Sequence, residues 1–96
     1  MRRIASHRVF WKELYPLSYV ELTDEGVFQG VYPLREETPA TEFYDGLLLP
    51  VPQGAPLSYP LTPEEIRRSG LTENVSTGDK IHLYRIHGES IYRHFP

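Results

Sequence analysis

The stretch TEFYDGLLLPVPQGAP, from Thr41 to Pro56, decides how this chain is organised. Its first half, Glu42 to Leu49, is rich in aromatic and aliphatic residues and predicts a β-strand that ends at Pro50. The Asp45-Gly46 pair within it predicts either a turn or a bulge inside one longer strand. The second half contains prolines, glycine and small residues, and no His, Cys, Asp or Glu follows until Glu64. The stretch therefore predicts a strand that leads into a stiff connection without the usual catalytic side chains.

The sequence before this stretch predicts three further strands. The first lacks a clean alternation of apolar and polar residues, which indicates a bulge or burial on both faces. The second alternates and places Val20 and Leu22 on one face. Gly26 can adopt the positive φ of the turn that follows, and Pro33, which has no N–H, ends the returning strand. The three segments are Arg3–Trp11, Tyr19–Thr23 and Val27–Tyr32.

The middle of the chain is rich in proline, which predicts a stiff, extended connection. Two of these prolines have the PxxP spacing of a ligand for aromatic-lined grooves. A structural cross-over loop also explains them, and both interpretations stay open. The five residues are Pro50, Pro52, Pro56, Pro60 and Pro63, of which the last two form the PxxP.

The segment LTPEEIRRSG, Leu61 to Gly70, predicts a short helix after this connection. Thr62 is a good N-cap, proline suits the first helical position, and Glu65 completes a capping box. Leu61 and Ile66 have the spacing of a hydrophobic staple, and the final glycine ends the helix after about two turns. We expect the helix to cover one end of the sheet.

The C-terminal residues predict a β-hairpin with Gly88-Glu89 as its two-residue turn. The two strands are Lys80–Ile86 and Ile91–Phe95. This turn fixes the register and predicts that three pairs of residues face each other on one side of the ribbon. The pairs are Ile86 with Ile91, Tyr84 with Arg93, and His82 with Phe95.

Together these elements predict a mainly β fold, either a small β-sandwich or a partly open barrel of about six strands, with one short helix at about 63–69. The chain is long enough for one domain. We divide residues 1–96 into N-terminal strands at 1–50, a proline-rich connection with the helix at 51–79, and a C-terminal hairpin at 80–96. We expect Arg3–Trp11 and Ile91–Phe95 to be the edge strands of the sheet.

Charge and composition exclude several function classes. The net charge is -3 and basic residues are not clustered, so we expect no nucleic-acid partner. The chain has no cysteine, which excludes disulfides and Cys-ligated zinc. The N-terminus lacks the apolar core of a signal peptide, and no segment has the roughly 20 apolar residues of a membrane span. We therefore expect a cytoplasmic protein without a membrane partner.

The titratable residues do not form a recognisable catalytic or metal-binding motif. The four histidines, His7, His82, His87 and His94, include no HxH or HxxxH pair. The paired carboxylates are adjacent in sequence and are typical of turns, loops and helix caps. We expect no metal, no cofactor and no catalytic residue.

Seven tyrosines and one tryptophan are the remaining unusual feature of the composition. Such residues form the core and rim of small sheets, but they also line interfaces and ligand surfaces. If an interface exists, the residues that we expect in it are Trp11, Tyr15, Tyr19 and Tyr92. Because a small sheet must pair, charge or cover its edges, we expect self-association as a homodimer or a protein partner. Any ligand is unknown.

Three segments of the chain resemble the amidohydrolase (metallo-dependent hydrolase) superfamily. Members of that family combine a TIM-like barrel with a small β-sandwich built from both ends of the chain. Pro16–Gly26 resembles the first hairpin of the sandwich, and Phe43–Pro50 resembles the segment that leads from the sandwich into the barrel. Lys80–Tyr92 resembles the hairpin that returns from the barrel to the sandwich.

The resemblance implies a sandwich domain that lacks its catalytic barrel. In the family, the proline that ends the leading segment precedes an HxH pair that binds the catalytic metal. Here Pro50 is followed by Val51, and no histidine occurs before His82. We therefore expect a non-catalytic β-domain that acts through protein contacts. The alternatives are an accessory sandwich subunit of an amidohydrolase-type enzyme whose barrel is on another chain, and a small-molecule-binding module.

Overall fold

A computed structural model of the chain describes residues 1–36, 38, 41–55 and 62–95, apart from the side chains of residues 94 and 95. Within these ranges the chain forms seven strands and one helix. In chain order they are β1 (Arg2–Trp11), β2 (Glu13–Leu22), β3 (Phe28–Pro33), β4 (Thr41–Phe43), β5 (Leu47–Pro52), α1 (Pro63–Ser69), β6 (Ile81–His87) and β7 (Ser90–Phe95).

The strands form one mixed sheet that is not closed into a barrel. Its order is β3-β2-β1-β5-β6-β7, and β4 also pairs with β1. The pairs β1-β4 and β1-β5 are parallel, whereas the other neighbours are antiparallel. The prediction of a mainly β fold with one short helix is confirmed, with seven strands instead of about six.

The additional strand arises because the predicted strand Glu42–Leu49 is divided at Asp45-Gly46 into β4 and β5. Gly46 has a φ of 117°, and a Cβ at this position would lie 2.5 Å from the carbonyl oxygen of Ile86. β5 also continues through Pro50 to Pro52, beyond the predicted end. The pairing of β5 with β1 stops at Leu48, so Pro50 lies where β5 has a single partner strand, as prolines in sheets require.

β1 lies in the middle of the sheet, so the prediction that Arg3–Trp11 is an edge strand was wrong. It pairs with β2 on one side and with β4 and then β5 on the other. Its register with β2 is the same before and after His7, which excludes a bulge, and consecutive residues such as Val9 and Phe10 are buried. Burial on both faces therefore explains the missing alternation.

Two hydrophobic clusters lie on opposite faces of the sheet, and β5 contributes alternate residues to both. The larger cluster contains Ile4, Val9, Val20, Leu22, Phe28, Leu48, Val75, Ile81 and Leu83. The smaller cluster is covered by α1 and contains Phe10, Leu47, Leu49, Val51, Ile66 and Ile86.

The helix has the predicted bounds, N-cap and final glycine, whereas the Glu65 side chain accepts from the Thr62 hydroxyl and not from the backbone N–H of a capping box. The Glu65 backbone N–H donates to Thr62 Oγ1 at 3.2 Å, and Gly70 adopts the left-handed conformation at the C-terminus. Ile66 is fully buried. Leu61, the other half of the predicted staple, lies outside the described residues, as do Pro56 and Pro60.

The C-terminal hairpin confirms two of its three predicted pairs. Ile86 is opposite Ile91 and Tyr84 is opposite Arg93. The predicted partner of Phe95 was wrong, because the register shifts between Leu83 and Tyr84 and places Phe95 opposite Leu83. A shift of this kind adds one residue to a strand, and the spacing from the turn does not reveal it.

Candidate functional site

The two ends of the sheet differ in how their backbone groups are satisfied. At the β3 end, the Phe28 N–H donates to the Asp79 carbonyl at 2.8 Å, and the Phe28 carbonyl accepts from the Gly78 N–H at 2.8 Å. The Ile81 N–H also donates to the Gly26 carbonyl at 3.1 Å. The segment before β6 therefore closes the start of the β3 edge.

The β7 end of the sheet is open within the described residues. β7 pairs only with β6, and no backbone hydrogen bond from a described residue outside this ladder reaches it. Its six residues contain neither proline nor glycine, and its register with β6 is regular from Ser90 to Arg93, before the shift at Phe95. An edge of this kind is able to pair with a further strand.

The hairpin register shows which groups of β7 face outward. His87 is opposite Ser90 across the two-residue turn, where Gly88 has a φ of 62°. The pair that flanks such a turn is hydrogen-bonded, and hydrogen-bonded and non-bonded pairs then alternate. The backbone N–H and carbonyl groups of Ile91 and Arg93 therefore point away from β6.

The side chains of β7 place an aromatic ring on one face of this open edge. Tyr92 is 45% exposed. It is opposite Arg85 on β6, whose guanidinium lies 4.6 Å from the centre of the Tyr92 ring. The same guanidinium lies 5.5 Å from the Tyr44 ring and donates to the Asp45 carbonyl at 2.9 Å. Ile91, on the opposite face, packs against the smaller cluster. The edge is thus anchored to the core while the tyrosine stays accessible.

The groups beside Arg85 form a connected polar network. The Tyr44 hydroxyl donates to Glu42 Oε1 at 3.1 Å, and Arg2 Nη2 contacts Glu42 Oε2 at 2.7 Å. The hydrogen bond to Glu42 is the main cause that raises the pKa of Tyr44, with a further contribution from burial. The network therefore favours the protonated form of the Tyr44 hydroxyl.

The structure places three of the four predicted interface residues on the neighbouring strands β1 and β2 and the fourth, Tyr92, on β7. Trp11 is partly buried, and its Nε1–H donates to the Val75 carbonyl at 2.9 Å. Tyr15 packs against the larger cluster, and the Tyr19 ring lies 5.6 Å from the Tyr32 ring. Tyr92 lies three strands away from β1, at the open edge. Trp11 and Tyr15 therefore contribute to packing, whereas Tyr92 lies where a partner strand could reach.

A second set of exposed aromatic side chains lies in one row across β3, β2, β1 and β4. The register lines up Tyr32, Tyr19, Ala5 and Phe43 on β3, β2, β1 and β4, and residues directly opposite share a face. Phe43 is 44% exposed and Tyr32 is 42% exposed. Sequence analysis did not single out these two residues as interface candidates, because only strand pairing brings them into one row.

The histidines do not converge in the part of the chain that the structure describes. His7 Nε2 lies 3.2 Å from Asp45 Oδ1, the His82 ring contacts Tyr84, and His87 is exposed. The His94 side chain lies outside the described residues. Within residues 1–36, 38, 41–55 and 62–95, no three His, Asp or Glu side chains are grouped so that they could hold a metal ion, and no pocket is found.

Comparisons with protein-family models, with curated proteins and with solved structures gave no match to this chain. The resemblance to the amidohydrolase superfamily therefore stays a prediction. Over the described residues, no helix has the length and apolar character needed to cross a membrane.

Proposed function

We propose that this chain is a non-catalytic cytoplasmic β-domain that acts through protein–protein contacts, and that the outer edge of β7 is its contact site. The observation that carries the proposal is the contrast between the two ends of the sheet. Backbone hydrogen bonds close the β3 edge at Phe28, whereas the outward groups of Ile91 and Arg93 have no partner among the described residues.

Strand addition is the contact that this edge supports best. In this mode of recognition, an extended segment of a partner adds a strand to an open edge, and main-chain hydrogen bonds provide the affinity. β7 is in regular register over residues 90–93, and its exposed Tyr92 adds a large amphipathic contact beside the backbone. The charge of Arg93 also limits indiscriminate pairing of the edge.

Substitutions at Arg93 test the proposal because its N–H points outward and its side chain is exposed. Arg93→Pro removes the outward N–H without removing a donor to β6. Arg93→Ala removes the same charge but keeps the N–H, so it is the matched control. The parent and both variants are used as bait for affinity capture from the native cell, and the bound proteins are identified.

We expect one defined partner to be captured by the parent and by Arg93→Ala but lost with Arg93→Pro. Circular dichroism and thermal melting confirm that both variants keep the fold. If all three baits capture the same proteins, the contact does not use the β7 edge and the proposal fails. Capture of a separately encoded barrel protein in this edge-dependent way would identify the accessory-subunit alternative.

A further inference from the structure

We infer that the strand that pairs with β7 is β7 of a second copy of this chain, in an antiparallel arrangement around a two-fold axis at Tyr92. The inference rests on the proposed function and specifies its partner. Its basis is that the backbone groups of Ile91 and Arg93 on β7 are open, whereas the β3 edge is already engaged at its start, at Phe28. Pairing of β7 along the full length of β3 in another copy would require displacement of Gly78 and Asp79 from Phe28. Pairing of β7 with β7 uses the open edge of both copies, and the assembly then closes as a dimer.

Symmetry restricts the register of such a pair. A two-fold axis perpendicular to the joined sheets leaves each side chain and its symmetry copy on the same face. Residues directly opposite each other must also share a face, and neighbours along a strand do not. The axis therefore passes between two copies of the same residue, and not between two peptide bonds. An axis at Ile91 would require pairing with the Gly88-Glu89 turn, where Gly88 has a φ of 62°. An axis at Arg93 would place two guanidinium groups directly opposite each other, which is unfavourable.

The register centred on Tyr92 avoids both problems and uses strand residues alone. It pairs Ile91 with Arg93 of the second copy, and the same pair occurs again by symmetry. These are the residues whose backbone groups point outward, so each pair exchanges two hydrogen bonds. Four outward N–H groups and four outward carbonyl groups, otherwise exposed to water, are engaged across the two copies.

The side chains are compatible with this register. The two Tyr92 residues form a non-hydrogen-bonded pair, in which the side chains approach most closely, and aromatic pairs are favourable there. Each Tyr92 ring is already held by its own Arg85 at 4.6 Å, which limits the number of conformations lost on association. On the other face, the Arg93 alkyl chain covers Ile91 of the second copy.

The cysteine-free chain allows the register to be tested by disulfide trapping. In the proposed dimer the Cα atoms of the two Tyr92 residues are about 4.5 Å apart, which a disulfide can bridge. The Cα atoms of the two Arg93 residues are about 8–9 Å apart, which is too far for a disulfide. Tyr92→Cys is compared with Arg93→Cys, and with Tyr32→Cys as a control of similar exposure at the opposite end of the sheet.

We expect the parent chain to have twice the mass of the 11.1 kDa monomer in sedimentation equilibrium at about 100 μM, a concentration sufficient for a dimer of micromolar Kd. Arg93→Pro is expected to be monomeric and Arg93→Ala dimeric. Under mild oxidation, Tyr92→Cys is expected to form covalent dimers faster than Arg93→Cys and Tyr32→Cys.

A strictly monomeric parent without selective trapping at position 92 overturns the inference. Fastest trapping at position 93 or at position 32 overturns it as well, because the copies then meet in another register or at another surface. If the chain is monomeric but an edge-dependent partner is captured, the inference fails while the proposed function stands. If dimerisation is unaffected by Arg93→Pro, the inference fails, and the proposed function fails with it if affinity capture is also unaffected.

Discussion

Gly46→Ala tests whether the bend between β4 and β5 positions the central strands. Gly46 has a φ of 117°, a conformation that costs a residue with a Cβ roughly 1–3 kcal/mol. The added methyl group would also lie 2.5 Å from the Ile86 carbonyl oxygen in the neighbouring strand. Because that atom belongs to the backbone, relief requires a shift of β5 or β6, which adds roughly 1–3 kcal/mol as overpacking does.

Gly54→Ala is the matched control for this prediction. Gly54 also has a positive φ, 86°, but a Cβ there would have no neighbour within 4 Å. Both variants place a Cβ at a positive φ, and only Gly46→Ala adds the contact with Ile86. Urea unfolding followed by circular dichroism gives both free energies of unfolding. We expect Gly46→Ala to be less stable than Gly54→Ala by roughly 1–3 kcal/mol, equivalent to at least about 4 °C in Tm. Equal stability of the two variants would show that β4 and β5 are not held against β6 at this point.

Three further substitutions test the helix and the polar network. Thr62→Ala should lower the free energy of unfolding by about 1 kcal/mol, because the N-cap bond to Glu65 is lost. Urea unfolding measures this change, and an unchanged midpoint would show that the cap is not formed. Ile66→Asp should destabilise more, because it places a carboxylate in the cluster under α1; a melting temperature equal to that of the parent would mean that the helix is not docked. The pKa of Tyr44 is raised above 10.0 in the folded state, so its hydrogen bond to Glu42 stabilises the fold at lower pH and is lost as the pH rises through the raised pKa. Tyr44→Phe should remove from an ultraviolet titration a phenol that ionises above pH 10.0, and an unaltered curve would contradict the assignment.

The elements that sequence analysis predicted most closely are those with local signals. The capping residues Thr62 and Glu65 and the final Gly70 define α1 within a single short segment. Gly88 defines the C-terminal hairpin in the same way. In both cases the residues that determine the structure lie a few positions apart, so no distant contact is needed to predict the element.

The misassigned features depend on contacts between distant segments. The local sequence of β1 does not show its place in the sheet, and its parallel pairing with β4 and β5 makes it central. The first half of β2 was not predicted, because its tight turn is at Lys12, which has a φ of 66° and lacks the usual glycine or asparagine. The Lys12 N–H donates at 2.8 Å to Oγ1 of Thr72, which is 60 positions away in the sequence. A local pattern does not contain this information.

The candidate site was predicted in part for the same reason. Ile91–Phe95 was expected to be an edge strand, and Tyr92 was among the expected interface residues; the structure confirms the edge. The start of the opposite edge is closed by hydrogen bonds between Phe28 and the segment before β6, which are about 50 residues apart in sequence. The preference for β7 over β3 therefore emerges only from the fold.

The fluorescence of Trp11 reports on the position of residues 71–79. This residue is the sole tryptophan of the chain, its indole N–H bonds to Val75, and its ring contacts Phe28 at 5.0 Å. The same segment supplies the groups that close the β3 edge. Release of the segment would expose the indole to water and shift its emission to longer wavelength. It would also leave the molecule with two open edges, so that copies could add end to end without closure. A red shift in tryptophan fluorescence on warming should therefore precede the appearance of fibrous aggregates.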